Sequence, residues 1–283
     1  MTEILYGSKL AEEWKTTIRQ KTDALRAQGR RSPCLAVILV GDDPASLSYI
    51  RAKEKACKEA GILSRTYMLD KTASQQEVED VIRTCNENEQ IDGILLQLPL
   101  PSSLREGHAL TSIDPQKDVD GLHPENVSRL HLREPGFIPC TPKGIMALLK
   151  RMGCDPAGRH AVILGRSRLV GAPVAQLLLN ENATVTICHS HTKEPALFTR
   201  QADILIAALG KANYVKADMI KEGAFIIDVG VNRLPDGHLC GDVDFASVMG
   251  KAAAITPVPG GVGPMTIAML LENTLQAYQE RNV

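Results

Sequence analysis

The stretch from His160 to His191, HAVILGRSRLVGAPVAQLLLNENATVTICHSH, limits what this chain can fold into more than any other. An apolar run, Ala161 to Leu164, enters a loop bounded by Gly165 and Gly171. A helical pattern follows from Ala172 to Asn180, and a β-branched run, Thr184 to Cys188, closes the unit at His189 and Ser190. Strand, glycine loop, helix and strand make a βαβ unit, the building block of a parallel sheet. Such a unit holds phosphates, because the helix start offers unpaired N–H groups at the positive end of its dipole. Gly165 permits a sharp turn and Gly171 close packing.

The loop departs from the usual G-x-G-x-x-G dinucleotide pattern, since its glycines are six apart with Arg166, Ser167 and Arg168 between them. A glycine loop alone is weak evidence, and a plain tight connection explains it equally well. The end of the second strand says more. NAD-binding units tend to carry Asp or Glu there, to hold the ribose 2′-hydroxyl. This chain has Cys188-His189-Ser190 and no acid. A carboxylate would repel a 2′-phosphate, whereas a hydroxyl and a nearby guanidinium would hold one. The unit therefore points to NADP, with Arg166 and Ser190 as phosphate ligands.

The first half repeats the strand–helix alternation. Ala11 to Gln28 reads as an amphipathic helix, and Leu35 to Val40 as a strand buried on both faces. A helix follows over Ala45 to Ala60, then strand Thr66 to Leu69, helix Gln75 to Asn86 and strand Gly93 to Leu98. Tyr49 and Lys53, four apart, share a helix face. They are suited to acid–base or orienting work, or they are a solvent-facing pair with a snorkelling lysine. Gln97 ends an apolar strand and needs partners for both its carbonyl and its amide, in neighbouring loops or on a ligand. Asp118 and Asp120 stand in a turn-rich acidic stretch. With no further acid cluster nearby, a capped turn built by Asp118, or a carboxylate facing a nitrogen-rich ring, is expected rather than a metal.

Phe137 to Pro142 reads as the crossing into a second domain, with a helix from Thr141-Pro142 to Met152. Further buried strands are expected at Asp203–Leu209, Ala224–Val229 and Ala252–Val258, each ending in glycine. Met265 to Tyr278 reads as an amphipathic closing helix that returns to the first domain. The fold class expected is α/β, with two lobes and a cleft between them. The second lobe is a Rossmann-type, doubly wound, mostly parallel sheet. Domain 1–140, completed by 264–283, would be catalytic, and 141–263 would bind the nucleotide.

Charge excludes some partners. Lys+Arg 32 against Asp+Glu 33 gives a formal charge of −1, without attraction for nucleic acid or an acidic membrane. No run is long and apolar enough for a membrane span, and MTEILYGSKLAEEW carries acids where a signal peptide would be basic. Seven scattered cysteines with no C-x-x-C pair read as reduced thiols of a cytoplasmic protein. At this point the residues indicate an NADP-dependent oxidoreductase without naming its substrate.

Five separated motifs carry a resemblance that does name it. They are Ser46-x-x-Tyr49-Ile-x-x-Lys53-x-Lys55, Asp92-Gly93-Ile-Leu-Leu-Gln97-Leu-Pro-Leu-Pro101 and Lys117-Asp-Val-Asp120-Gly, then Gly165-Arg-Ser-x-x-Val-Gly171-x-Pro173 and Pro257-Val-Pro-Gly-Gly-Val-Gly-Pro264-Met-Thr. Over nearly its whole length the chain resembles the bifunctional methylenetetrahydrofolate dehydrogenase/methenyltetrahydrofolate cyclohydrolases of one-carbon metabolism. The resemblance implies oxidation of 5,10-methylenetetrahydrofolate with NADP, then hydrolysis of the methenyl cation to 10-formyltetrahydrofolate, a donor for purine biosynthesis. It implies Lys53 as the acid–base group, Gln97 as its partner, Tyr49 orienting the folate and Asp120 binding the pterin. It further implies Gly165, Arg166, Ser167, Ser190 and Val231 at the cofactor, Leu98, Pro259 and Gly260 along the folate, and a homodimer joined through the cofactor domains. Ala212 and Val231 depart mildly from the residues common in the family. Two alternatives are another NADP-linked two-domain dehydrogenase acting on a hydroxy acid, and an inactive nucleotide-binding regulator. The first would need no Tyr-x-x-x-Lys helix followed by a glutamine-ended strand. The second would be expected to lack Lys53 or Gln97.

Overall fold

The computed structural model describes residues 1–282, with backbone only for 44–46. The expected C-terminal segment ends on Val283, and the first motif opens on the Ser46 side chain; both lie outside the described residues. In chain order the elements begin β1 (Glu3–Ile4), α1 (Gly7–Ala27), β2 (Cys34–Val40), α2 (Pro44–Ala60), β3 (Leu63–Leu69), α3 (Gln75–Glu87), β4 (Gly93–Leu96), α4 (Glu106–Thr111), α5 (Pro124–Leu132) and α6 (Cys140–Arg151). They continue β5 (His160–Leu164), α7 (Gly171–Asn180), β6 (Thr184–Cys188), α8 (Ala196–Thr199), β7 (Ile204–Ala207), β8 (Phe225–Asp228), β9 (Asn232–Arg233), β10 (Leu239–Cys240), α9 (Phe245–Val248), β11 (Ala254–Ile255) and α10 (Val262–Arg281). Two compact units result, one of Glu12–Cys140 with the segment from Ile267, the other of Met1–Ala11 with Thr141–Thr266.

In the first unit the sheet order is β3-β2-β4, all parallel. Its centre is β2, whose seven residues CLAVILV are all buried, as a strand flanked on both edges and covered on both faces requires. Helix α3 begins at a capping box, with Ser74 N–H donating to Glu77 Oε2 at 2.7 Å. It buries Val78, Ile82 and Cys85, one stripe at helical spacing. Strand β4 stops at Leu96, two residues short of the expected Leu98, and this leaves Gln97 just beyond the sheet.

The second unit holds a six-stranded sheet, β1-β11-β8-β7-β5-β6, parallel at every pairing. The chain leaves β5 for β6 on one side and returns to β7 on the other, so the order reverses at β5. In open α/β sheets such a reversal opens a crevice at the strands' carboxyl ends. Residues 1–11 join this unit instead of the first, because β1 pairs with β11 and Thr2 Oγ1 donates to Ala252 O at 2.7 Å. Nor is α10 amphipathic: the segment from Ile267 to Tyr278 is buried nearly all round, so its sequence shows little periodicity. Its Asn273, fully buried, donates to Val119 O at 2.9 Å and Ile138 O at 3.0 Å within the first unit.

Candidate active site

Lys53 is 5% exposed, so the snorkelling reading fails. Its Nζ donates to Gln97 Oε1 at 2.9 Å and lies 4.4 Å from the Tyr49 ring centroid. Gln97 has its own orientation settled at both ends. Its backbone N–H donates to Ile38 O at 2.8 Å, and its amide donates to Leu98 O at 2.7 Å. An ammonium can only donate, so the glutamine carbonyl must be the end that faces Lys53.

Burial lowers the Lys53 ammonium's pKa below its ordinary value, and the Asp120 carboxylate pulls it partly back. Burial likewise raises the Asp120 carboxyl, opposed by the Lys53 charge and the Cys140 thiol. The Tyr49 phenol is pushed up to about 12, by burial first and the Asp120 charge second. It therefore stays protonated and serves as a ring and a donor, not as a base. Lys53 therefore loses its proton more readily than a solvated lysine does.

Asp120 owes its place to its neighbours. Asp118 Oδ2 accepts from His123 N–H at 2.8 Å and from Asn126 Nδ2 at 2.8 Å, while Oδ1 accepts from Leu122 N–H at 3.2 Å. This is the capped turn expected of Asp118. Burial raises its carboxyl to about 7 against those three donors. Gly121 has φ +69°, and a Cβ there would sit 2.7 Å from Pro139 N, so glycine lets the two segments touch. Lys117, 1% exposed, is a helix cap: its Nζ donates to the Cys85, Asn86 and Asn88 carbonyls at 3.0, 2.5 and 3.0 Å.

In the other unit, a cavity of about 340 Å³ opens where the order of the six-stranded sheet reverses. Gly165, Arg166, Ser167 and Ser190 all line it. Sequence reading missed His189, Thr192, Lys211 and Tyr214, which line it too. Among the described residues of that lining there is no acid. A Cβ on Gly165, at φ +118°, would collide with the Ala208 carbonyl, and one on Gly171 with the Gly165 carbonyl. The cradle thus has room for a ligand against bare backbone, with two cations, Arg166 and Lys211, and hydroxyls around it. Those donors fit a phosphorylated ribose. Val231 lies outside this lining and is 64% exposed. Pro259 and Gly260 belong to this same unit; Gly260 has φ +100° and accepts from Ser8 N–H at 3.0 Å.

Comparison with known proteins decides the family. Residues 5–120 match the model of the tetrahydrofolate dehydrogenase/cyclohydrolase catalytic domain, and residues 139–282 match that family's NAD(P)-binding domain. This chain belongs to the tetrahydrofolate dehydrogenase/cyclohydrolase family. Within it, the bifunctional protein FolD of Desulfovibrio desulfuricans is 54% identical, over 98% of this chain and 99% of that one. The crystal structure of the bifunctional enzyme FolD from Campylobacter jejuni superposes with a TM-score of 0.98 at 49% identity, covering 99% of this chain and 100% of that chain. The Trypanosoma brucei FolD, solved with NADP cofactor and an inhibitor, gives a TM-score of 0.94 at 38% identity, covering 99% and 98%. Among the described residues no helix is long and apolar enough to cross a membrane.

Proposed function

We propose that this family member oxidises 5,10-methylenetetrahydrofolate to the methenyl cation with NADP and hydrolyses the cation to 10-formyltetrahydrofolate. One observation carries the reading: a buried lysine held between a tyrosine ring and a glutamine carbonyl, with a carboxylate close enough to perturb its titration. NADP, when bound, supplies the hydride acceptor. The chain's part in that step is to position, which is where such reactions gain most of their rate. Arg166 and Ser190 grip the 2′-phosphate, and Gly165, Ser167 and Val231 meet the rest of the dinucleotide. Asp120 accepts from the pterin's amino and ring N–H groups, Tyr49 orients the ring, and Leu98, Pro259 and Gly260 line the folate.

Hydrolysis needs a proton to be managed. The methenyl cation beside Lys53 lowers its pKa further, so the neutral amine becomes accessible. Water adds to the methenyl carbon and Lys53 takes one of its protons, with Gln97 holding the amine in line. The remaining hydroxyl becomes the formyl carbonyl as the bond to N5 breaks, and N5 leaves carrying a proton. One proton in all is released to solvent.

Further features support the remaining assignments. The nucleotide unit exposes Leu169, Leu179, Leu197 and Phe198, and Ile187 on edge strand β6, apolar side chains that suit a homodimer joined through this unit. Cys34, Cys57, Cys85, Cys154, Cys188 and Cys240 are free thiols, in keeping with a reducing cytoplasm. The test follows methenyl absorbance with methylenetetrahydrofolate and either NADP or NAD. Product forming with NADP, and its decay on NADP removal, is the expected result. No product with either nucleotide would end the proposal.

A further inference from the structure

Asp242 is fully buried, yet its carboxylate has four donors. Oδ2 accepts from Leu209 N–H at 2.5 Å and Gly210 N–H at 2.9 Å; Oδ1 accepts from Lys211 N–H at 2.8 Å and from Asn232 Nδ2 at 2.9 Å. Three of these are consecutive backbone amides of the loop after β7, and Leu209 and Lys211 of that loop line the nucleotide cavity. The fourth comes from the residue after Val231. One carboxylate thus joins the cavity wall to the start of β9. A second aspartate stands behind it. Asp228, at the end of β8, accepts from the backbone N–H groups of Gly230, Asp242 and Val243 at 3.1, 2.9 and 2.9 Å. Cβ atoms on Gly230 and Gly241 would collide with the Asp242 and Asp228 carboxylates, so glycine lets backbone and acid approach.

We propose that Asp242 is a positioning residue for NADP: its carboxylate shapes the Leu209–Lys211 wall, aims Lys211 at the cavity, and ties that wall to Val231 through Asn232. The inference rests on the reading of that cavity as the NADP site. A loop whose consecutive amides all point at one buried anion is held open before the nucleotide arrives, and such preorganisation tightens binding. Replacing one carboxylate oxygen by an amide turns an acceptor into a donor facing donors.

The test measures NADP dissociation constants by calorimetry for the whole protein and for Asp242→Asn, Asn232→Ala and the double variant. Expected are a loss of about tenfold for Asp242→Asn and about threefold for Asn232→Ala. The double variant should be no weaker than Asp242→Asn alone, since Asn232 acts through the carboxylate. In turnover, KM for NADP should rise while KM for methylenetetrahydrofolate stays within about twofold. A merely structural role would move both. Should Asp242→Asn fail to fold, Asn232→Ala decides alone, because it leaves the three backbone amides their acceptor. Unchanged NADP affinity in folded Asn232→Ala, additive losses, or KM values rising together would overturn the inference. Failure of the unsubstituted protein to bind NADP would instead refute the cofactor reading beneath it.

Discussion

Replacing Lys53 with methionine removes the amine and keeps the length of the side chain. The consequence for hydrolysis follows from the site. With Tyr49 held as a phenol near a pKa of about 12, that ring cannot take over the proton transfer. General acid–base assistance is worth about 10²–10⁴-fold, or roughly 3–5 kcal/mol of barrier. Hydrolysis should fall by that factor. Hydride transfer moves no proton from the substrate, so it should lose far less. For stability two effects oppose. Gln97 Oε1 loses its donor, at a cost of about 1–3 kcal/mol, and Asp120 loses a neighbouring cation. A desolvated ammonium also disappears, which recovers a comparable amount. The variant should therefore fold with a melting point within about 5 °C of the parent. NADP affinity should stay put, since the cavity that holds Arg166 and Ser190 is built by the other unit. The assay is stopped-flow loss of methenyl absorbance, with calorimetric NADP binding beside it. Hydrolysis within about threefold of the parent, in a folded variant, would show that Lys53 is not the acid–base group.

Other expectations are as direct. Arg166→Ala should raise KM for NADP by about tenfold or more and leave that for NAD nearly unchanged, if its guanidinium grips the 2′-phosphate as we propose; equal effects in steady-state kinetics would remove Arg166 from the phosphate site. Gly165→Ala puts a Cβ at φ +118° against the Ala208 carbonyl. It should destabilise by about 2–3 kcal/mol in denaturant titration and abolish NADP binding, and a neutral result would contradict the crowding at that loop. Asp118 and Asp228 have carboxyls raised by burial to about 7. Between the unfolded value of about 4 and 7 the folded chain holds protons that the unfolded chain has released, so their stabilisation is complete below about pH 4 and lost as pH rises through 7. From about pH 5.5 to 8 each should cost roughly 2 kcal/mol, seen as a falling melting point, and Asp118→Asn should flatten the slope. A melting point that climbs over that range in the parent would refute the burial argument.

Much of this protein can be read along the chain. The continuous apolar runs at 35–40 and 161–164 announce buried parallel strands, because a strand covered on both faces needs no polar alternation. The glycine loop at 165 and the missing acid at 188–190 announce the nucleotide cavity and its phosphate, since both are matters of local backbone and local charge. Tyr49 and Lys53 share a face by helical spacing alone. What spacing cannot supply is burial. Lys53 on an isolated helix is a surface lysine; the strand that leads into Gln97 and the turn that carries Asp120 make it a titratable group in a dry site. The same holds for Asp242, an unremarked acid in a glycine-rich segment until residues 209–211 fold over it from more than thirty positions away. It holds also for residues 1–11, whose two-residue strand has no pattern to recognise and is placed by pairing with β11. Periodicity and loop chemistry are properties of neighbours in sequence and so are legible there. Desolvation, and the convergence of donors on a buried charge, depend on neighbours in space, which only the folded chain supplies.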